Sequence, residues 1–294
     1  MFITAIERAA LFTRPIHFIA RNLGASQIVP GAATLFFVNA EGWALTCKHV
    51  AQELVAADQG RARYAAFKAE RAAIPVGQRS THPFKALERR FGFGPSSRVE
   101  LLNSFVGCVE GTVEIDITMH ASLDVALLHF RNFTRLLCAR FPVFAAEGRL
   151  LKQGRSLCRL GFPFPEFTNF EYDAAADEIR WTSSGRSQSP RFPIDGMVTR
   201  HLADPSGQIT GFEMSTPGLR GQSGGPAFDA DGRVWGMQSA TNHLDLDFDV
   251  DIEVHRNGRK ERVKDSAFLH VGHCVHVDVL KQFMRDNRVA FDEG

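Results

Sequence analysis

The sequence has almost no net charge and no long apolar run. Its 34 lysines and arginines nearly balance 33 aspartates and glutamates, so the net charge is +1. A protein that binds nucleic acid or an anionic membrane through its bulk charge carries an excess of one sign. We therefore expect neither partner. Near the N-terminus, the apolar segments are interrupted by Glu7, Arg8, Arg14 and Arg21 and are too short to span a bilayer. No signal peptide is recognisable, and we expect a soluble cytoplasmic protein.

Cysteine is scarce, and no two cysteines are paired by spacing. The five are scattered along the chain and form no C-x-x-C motif: Cys47, Cys108, Cys138, Cys158 and Cys274. Structural zinc sites use paired ligand spacing, and disulfide frameworks use an even set of cysteines in secreted chains. We therefore predict free or buried thiols in a reducing compartment, and we expect neither a metal site nor a cofactor.

Short strands separated by turns make up most of the sequence. The turn dipeptides include Asp195–Gly196, Ser206–Gly207 and Asp231–Gly232, which punctuate β-type runs. This pattern favours an all-β barrel or sandwich over a parallel sheet. Apolar residues at helical spacing predict an N-terminal helical extension over 1–24 that packs on the body, with docking to a partner or membrane as the alternative. The segment HVDVLKQFMRDNRV predicts a closing C-terminal helix.

One hairpin can be read in register from the sequence. The stretch LDLDFDVDIEVHRNGRKERVKD alternates acidic and apolar residues and turns at Asn257–Gly258, a strong hairpin signal. A two-residue loop there gives three opposed pairs, namely Glu253 with Arg262, Asp251 with Lys264, and Ile252 with Val263. These charge pairs explain the acidic run structurally. The alternative is that Asp245 to Asp251 form a rim that attracts basic substrates.

The stretch GLRGQSGGPAF, residues 218–228, places four glycines and a proline around Ser223. A serine hydroxyl is a poor nucleophile unless a base and a third, orienting group stand beside it. Attack on a carbonyl also needs amides aimed at the oxyanion that forms. A tight turn would aim the amides of Gly221 and Ser223 into one pocket, while Gly224 and Gly225 would let substrate and a neighbouring strand approach. The sequence therefore predicts a nucleophile at Ser223.

Two further residues have the chemistry that such a serine needs. His49, in WALTCKHVAQE, follows an apolar strand that ends at Thr46, where a barrel opens to solvent. Asp124, in SLDVALLHF, directly precedes an apolar strand, where a half-buried carboxylate can accept from an imidazole. Asp116, in VEIDITMH, is the rival acid, but it lies among alternating polar residues that are typical of an exposed strand. We predict that His49 and Asp124 are the partners of Ser223.

The order His49, Asp124, Ser223 and the residues around them resemble the chymotrypsin-like (trypsin-fold) serine proteases. TCKHV is similar to the T-A-A-H motif of that family, LDVALLHF to D-x-A-L-L, and GQSGGPAF to G-D-S-G-G-P. The chain most resembles the compact bacterial trypsin-like and HtrA-like peptidases, over about Gly31 to Phe283. The resemblance implies two antiparallel six-stranded β-barrels with the triad in the cleft between them. The first barrel would span 25–142 with a partly helical insertion at about 51–98, and the second, with the C-terminal helix, 143–294.

Carried over residue by residue, the resemblance implies a serine endopeptidase that forms an acyl-enzyme with protein or peptide substrates. Ser223 would be the nucleophile, His49 the general base and acid, and Asp124 the orienting carboxylate. The amides of Gly221 and Ser223 would form the oxyanion hole. The resemblance also implies a substrate-binding set, in which the first residue borders the specificity pocket and the others pair with substrate backbone or reach the pocket rim: Pro217, Ser239, Ala240 and Thr241.

The sequence departs from the family pattern in three places. Gln222 stands where digestive members carry the aspartate that pairs with a new amino terminus, so we expect no activation by that route and an ordinary strand at Ile28–Val29. The insertion at about 51–98 could cover or gate the cleft, so a partner could activate a latent enzyme. No acid is evident near Thr216 and Pro217, which argues against a preference for arginine or lysine and leaves the preferred residue open.

Two other function classes compete with this interpretation. The letters GQSGG also fit G-x-S-x-G, the nucleophile elbow of α/β-hydrolases, but that elbow needs a helix directly after the serine. Pro226 and the Asp231–Gly232 turn follow instead, which argues against an esterase or lipase. The second alternative is a catalytically silent trypsin-fold scaffold that binds a partner in an occluded cleft, and it stays open at this point.

Overall fold

The first half of the chain forms a six-stranded antiparallel sheet. The structure is a computed structural model that describes residues 2–75, 81–94, 96–256 and 258–294. The elements of this half are α1 (Ile3–Ala10), β1 (Thr13–Asn22), β2 (Ile28–Phe37), β3 (Trp43–Thr46), α2 (Lys48–Ala73), α3 (Thr81–Arg90), β4 (Arg98–Ser104), β5 (Val109–Glu110), β6 (Glu114–Met119), β7 (Ala126–Arg131) and β8 (Arg135–Leu136). The strand order is β4-β1-β2-β3-β7-β6, and β5 pairs with β8 separately.

The second half forms an eight-stranded sheet. Its elements are β9 (Val143–Phe144), a 3₁₀ turn (Gly148–Leu150), β10 (Ser156–Gly161), β11 (Phe170–Asp173), β12 (Glu178–Trp181), β13 (Phe192–Ala203), β14 (Ile209–Met214), β15 (Pro226–Phe228), β16 (Arg233–Arg256), β17 (Arg259–His276), α4 (Val277–Asp286) and β18 (Asp292–Glu293). The order is β15-β10-β13-β14-β17-β16-β9-β18, and β15 also pairs with β16. Six of the strands therefore join in a ring, while β11 and β12 form a separate hairpin.

The strand content agrees with the predicted all-β fold, but two equal six-stranded barrels are not reproduced. In the first sheet, no pairing within the described residues joins the edge strands β4 and β6. In the second sheet, the short strands β9 and β18 extend the six-stranded ring through parallel pairing. The second half therefore contains a closed ring of six strands, whereas closure of the first sheet stays a prediction.

The predicted helical extension over 1–24 is wrong beyond its first part. Helix α1 ends at Ala10, and Thr13–Asn22 form β1, which pairs with β2 on one side and with β4 on the other. Almost all of β1 is buried or half-buried, because both faces of the strand are covered. Such a strand lacks the polar–apolar alternation that marks a half-exposed strand, so the pattern did not distinguish it from a helix. Strand β2 begins at Ile28, as predicted for Ile28–Val29.

The predicted insertion is largely helical. Helix α2 contains 26 residues and begins at Lys48, directly after the end of β3. Helices α2 and α3 bury an apolar cluster of their own against β4, formed by Tyr64, Phe67, Leu87, Phe93 and Val99. Positions 76–80 and 95 of the predicted insertion lie outside the described residues. The described part therefore packs on the first sheet as a helical layer.

Strands β16 and β17 extend beyond the second sheet as a long two-stranded ribbon. The three opposed pairs predicted from the sequence are present in the register, including Glu253 with Arg262. The ion pairs run diagonally, however, because Arg262 Nε lies 2.7 Å from Asp251 and Lys260 Nζ lies 3.1 Å from Glu253. Long side chains reach such diagonal neighbours on one face. The predicted turn residue Asn257 lies outside the described residues.

One apolar core joins the two halves of the chain. It contains fully buried phenylalanines from both sheets, such as Phe36, Phe130 and Phe228, together with Leu280 of α4. Phe2, at the start of α1, packs edge-on against Phe228 with 6.5 Å between the ring centroids. Both terminal helices therefore pack on the body, as predicted. All five cysteines are buried and free, and no helix among the described residues could cross a bilayer.

Candidate active site

Sheet pairing brings His49 and Asp124 together. Strand β3 pairs with β7 so that Thr46 stands opposite Ala126, which places the start of α2 beside the segment that precedes β7. The ring Nδ1 of His49 lies 2.9 Å from Oδ2 and 3.1 Å from Oδ1 of Asp124, and the backbone amide of His49 donates to Oδ1 at 3.0 Å. One carboxylate therefore binds both the backbone amide and the ring Nδ1 of His49.

The environment of Asp124 keeps it ionised. Ser239 Oγ donates to Asp124 Oδ2 at 2.5 Å, on the side away from the histidine amide. Burial alone would raise the pKa of Asp124, but the hydrogen bonds from His49 and Ser239 outweigh it and lower the pKa to about 2. The rival Asp116 is exposed on β6 and forms an ion pair with Arg131 at 2.7 Å. Asp124 is therefore the acid that accompanies His49.

A buried threonine from the first sheet holds the loop that carries Ser223. Thr34 on β2 donates through its hydroxyl to the Gly221 carbonyl at 2.6 Å and through its amide to the Ser223 carbonyl at 2.9 Å. The Thr34 carbonyl in turn accepts from the Thr46 hydroxyl at 2.7 Å. These bonds connect the serine loop of the second sheet with the strand that leads to His49. The sequence contains no motif for this role of Thr34.

The glycines after Ser223 are required by close backbone approach. Gly224 has φ +88°, and a Cβ there would lie 2.1 Å from the Thr34 carbonyl oxygen. A Cβ on Gly225 would lie 2.2 Å from the Leu160 carbonyl oxygen of β10. The part of the prediction that assigns these glycines to a neighbouring strand is therefore confirmed.

Ser223 and His49 line one cavity. Its volume is about 520 Å³, and its walls also include Gly221, Arg220 and the first turns of α2. The Ser223 hydroxyl donates to the Ser239 carbonyl at 3.3 Å, and within the described residues it makes no hydrogen bond to His49. The amides of Gly221 and Ser223 donate no hydrogen bond to any described group. The residues that carry this hydroxyl, the imidazole and the two amides thus border the same space.

Gln222 is a structural residue of the loop. It is fully buried, its side-chain carbonyl accepts from the Leu219 amide at 3.1 Å, and its Nε2 donates to the Phe192 carbonyl at 3.0 Å. Both polar ends of the side chain are therefore occupied by backbone. This is consistent with the prediction that Gln222 takes no part in an ion pair with a released amino terminus.

The predicted specificity segments lie together but are closed. Thr241 donates through its hydroxyl to the Gly218 carbonyl at 2.6 Å, and the Ala240 carbonyl accepts from Gln238 Nε2 at 2.6 Å. The Pro217 carbonyl accepts from Arg159 of β10 at 3.0 Å. The sequence analysis missed Arg159, because a single arginine in the apolar strand SLCRLG carries no functional signal.

Cys47 lies beneath the histidine and the acid. Its Sγ, a ring nitrogen of His49 and a carboxylate oxygen of Asp124 lie within 4.8 Å of one another, a spacing that could accommodate a metal ion. Burial raises the pKa of the Cys47 thiol, which disfavours the thiolate that a metal requires. The thiol instead donates to the Gln238 carbonyl at 3.2 Å. The donor set therefore fits a hydrogen-bonded cluster better than a metal centre.

Comparison with known proteins identifies the family. A family model described as a trypsin-like peptidase domain matches residues 33–237. The chain belongs to the trypsin-like peptidase family. This match confirms the resemblance drawn from TCKHV, LDVALLHF and GQSGGPAF, and it supports a peptidase hydrolase. No curated protein matches the sequence.

Solved structures of proteases are similar to this chain at low identity. One is the HtrA-type protease AlgW with a tripeptide, at 12% identity and a TM-score of 0.49, covering 97% of this chain and 63% of that one. Another is the active form of the Rv3671c protease from M. tuberculosis, at 13% identity and a TM-score of 0.47, covering 99% of this chain and 89% of that one. The chain thus spans less than two thirds of the length of the HtrA-type structure.

Proposed function

We propose that this trypsin-like peptidase is a serine endopeptidase that cleaves protein or peptide substrates through His49, Asp124 and Ser223. The observation that carries the proposal is the Asp124 carboxylate, which holds Nδ1 of His49 at 2.9 Å. With Nδ1 occupied, Nε2 is the ring nitrogen left to act as a base. His49 and Ser223 line the same cavity, and the proposed reaction requires a side-chain rotation that brings this base and the nucleophile together.

Acylation follows from this arrangement. The Ser223 oxygen attacks the scissile carbonyl carbon while its proton passes to Nε2 of His49. The carbonyl oxygen becomes an oxyanion, and the free amides of Gly221 and Ser223 are the donors that would stabilise it. Collapse of the intermediate breaks the C–N bond, and the imidazolium returns its proton to the leaving amine. The acyl group is then an ester of Ser223.

Deacylation uses the same groups in reverse. Water gives a proton to His49 and adds to the ester carbonyl. The C–O bond to Ser223 then breaks, and the imidazolium returns the proton to the Ser223 oxygen, which releases the carboxylic acid and restores the hydroxyl. Throughout, the ionised Asp124 stabilises the imidazolium that forms twice in the cycle. The low pKa of Asp124, about 2, keeps that carboxylate charged across the working range of such enzymes.

A latent resting state is part of the proposal. The Ser223 hydroxyl is bonded to the Ser239 carbonyl, and the Thr241 hydroxyl closes the specificity segments onto Gly218. Activation would release both bonds and turn the hydroxyl toward His49. An activating partner that binds near the cavity could supply the necessary free energy.

The alternative function is a catalytically silent scaffold with the trypsin fold. The bond from Ser223 to Ser239, instead of to His49, is the observation that favours it. Such a protein would use the cleft to bind a partner and would form no covalent intermediate. The paired His49 and Asp124 have no evident use in that case, so we prefer the endopeptidase.

A fluorophosphonate probe separates these functions. We expect the full chain to be labelled covalently at Ser223, and Ser223→Ala to remain unlabelled. Labelling that begins only after a partner is added, or after limited trimming of the insertion at about 51–98, identifies the latent form. Silence of the wild type under all these conditions contradicts the endopeptidase and leaves the scaffold. Equal cleavage of a peptide library by both proteins reveals a contaminant.

A further inference from the structure

A fully buried arginine lies at the base of the closed specificity segments. Arg159 on β10 has no exposed surface. Its NH2 group donates to the Thr216 carbonyl at 2.9 Å and hydroxyl at 2.7 Å, and to the Pro217 carbonyl at 3.0 Å. Its NH1 group donates to Oε1 of Gln238 at 2.5 Å. The guanidinium thus connects the two chain segments that flank Ser223.

The positive charge of Arg159 has no counterion. Among the residues that the structure describes, no carboxylate forms an ion pair with it, and its Nε has no hydrogen-bond partner. Burial lowers the pKa of the guanidinium, and the thiols of Cys274 and Cys158 oppose this effect only in part. Buried charges in proteins are normally paired, because an uncompensated one is strongly unfavourable. An arginine in this state calls for an anion.

The position of the guanidinium indicates where that anion comes from. The Thr216–Gly218 segment runs into the serine loop, while Gln238 precedes Ser239, whose carbonyl accepts from the Ser223 hydroxyl. A substrate side chain that enters between these segments from Ser223 meets Arg159 at the base. Two glycines let these side chains pack directly on the backbone: a Cβ on Gly218 would lie 2.1 Å from Gln238 Nε2, and one on Gly272 would lie 2.0 Å from Arg159 NH1.

The position beside the Arg159 guanidinium is occupied by the neutral side chain of Gln238. Gln238 contributes its carbonyl oxygen to Arg159 and its Nε2 to the Ala240 carbonyl. A carboxylate could replace that oxygen on the guanidinium and accept from the amide nitrogen as well. Opening needs rotation of Gln238, which breaks its hydrogen bonds with Arg159 and Ala240, and loss of the Thr241–Gly218 hydrogen bond. Arginine suits this exchange, because its planar donors match a carboxylate in a bidentate pair.

A second positively charged residue near Ser223 also favours acidic substrates. Arg220 is exposed three residues before Ser223 and lines the cavity that His49 shares. No carboxylate among the described parts of the chain forms an ion pair with Arg220, whereas Arg98 on the same cavity is paired with Glu53 at 2.7 Å. The region around the serine therefore attracts acidic peptides and disfavours a lysine or arginine beside the scissile bond.

We propose that Arg159 is a specificity-determining residue and that the enzyme cleaves after glutamate or aspartate. The inference rests on the proposed serine endopeptidase and names its substrate class. It reverses the preference of trypsin-like enzymes that carry an acid in this pocket. The role differs from a purely structural one, in which the guanidinium only joins the carbonyls of Thr216 and Pro217.

The test compares matched peptides that differ only in the residue before the scissile bond. For the wild-type chain, we expect kcat/KM for glutamate to exceed that for the isosteric glutamine by at least about tenfold, and lysine to be a poor substrate. A parallel series of peptides with aspartate before the scissile bond tests whether the shorter acid also reaches Arg159. Fluorophosphonate labelling of Ser223 is recorded on every sample, because the probe has no peptide residue before a scissile bond and so reports on the nucleophile alone.

Two variants assign the preference to Arg159. Arg159→Met removes the charge, and we expect equal kcat/KM for glutamate and glutamine. Arg159→Lys keeps a charge, and we expect part of the preference to remain. Thermal unfolding and Ser223 labelling identify a variant that fails to fold, in which case the wild-type comparison decides. Labelled wild type without an acidic preference overturns this inference alone. Wild type that is never labelled overturns the proposed function and this inference with it.

Discussion

The backbone amide and the ring Nδ1 of His49 both bind the same carboxylate, that of Asp124, at 3.0 and 2.9 Å. The double attachment fixes the first turn of α2 as well as the ring. It also selects the tautomer, because a carboxylate that accepts from Nδ1 keeps the proton on that nitrogen. The unprotonated Nε2 is then available as a base.

Replacing this carboxylate tests the tautomer argument. Asp124→Asn keeps the shape of the side chain, but its amide can donate to Nδ1 and favour the wrong tautomer. We expect kcat to fall about 10⁴-fold, as in related triads, while the circular dichroism spectrum is retained. Asp116→Asn, on the exposed part of β6, is the matched control and should keep wild-type kcat. Similar kcat values for the two variants would contradict the role of Asp124.

The low pKa of Asp124 also predicts a pH dependence of stability. Its folded pKa is about 2, below the ordinary value of about 3.9, so the folded state binds this proton less readily than the unfolded state. The resulting stabilisation, roughly 2 kcal/mol, is fully present above about pH 4 and is lost as the pH falls toward 2. In urea unfolding, the difference between wild type and Asp124→Asn should shrink over that range. A difference that is constant from pH 6 to 2 would be inconsistent with this linkage.

We expect Ser239 to lower the pKa of the Asp124 carboxyl through its hydrogen bond. Its hydroxyl donates to Asp124 at 2.5 Å, so Ser239→Ala removes one of the bonds that lower the pKa of this carboxyl. Since a hydrogen bond to a charged group contributes about 1.5–3 kcal/mol, we expect kcat/KM to fall at least about tenfold and its acidic limb to move upward in pH. Ser266→Ala removes a comparable serine–aspartate bond, to Asp249 at 2.8 Å in the ribbon, and should leave both quantities unchanged. If neither variant changes kcat/KM or its acidic limb, Ser239 has no role in tuning Asp124.

Sequence patterns predicted the parts of the molecule that local chemistry determines. The serine loop could be read because its glycines cluster within a few residues of Ser223, although the close contacts that require them are with the distant residues Thr34 and Leu160. His49 and Asp124 could be read because each stands next to an apolar strand whose end meets solvent. The register of the ribbon as far as Asp249 opposite Ser266 followed from the predicted two-residue loop at Asn257–Gly258. Beyond that pair the register shifts, and the loop does not determine it.

Other features depend on contacts between distant segments and left no local signal. Strand β1 is covered on both faces, so its sequence has no alternation to separate it from the preceding helix. Thr34 and Arg159 are single polar residues within apolar strands, and such residues become informative only when the partner segment is known. The acceptor of the Thr34 hydroxyl, the Gly221 carbonyl, lies 187 residues away, and the partners of Arg159 lie 57 to 79 residues away. The closure of the specificity segments could not be predicted for the same reason.

The contact between Gly224 and Thr34 gives a structural prediction with an internal control. Gly224 and Gly207 have nearly the same φ, +88° and +85°, but a Cβ at 224 would lie 2.1 Å from the Thr34 carbonyl oxygen, whereas a Cβ at 207 meets nothing within 4 Å. Gly207→Ala therefore measures the backbone strain alone, about 1 kcal/mol. Gly224→Ala adds a clash with backbone that cannot move without displacing the serine loop. We expect a loss of several kcal/mol in the free energy of unfolding and loss of fluorophosphonate labelling. Equal destabilisation in the two variants would mean that Thr34 does not hold the loop in place.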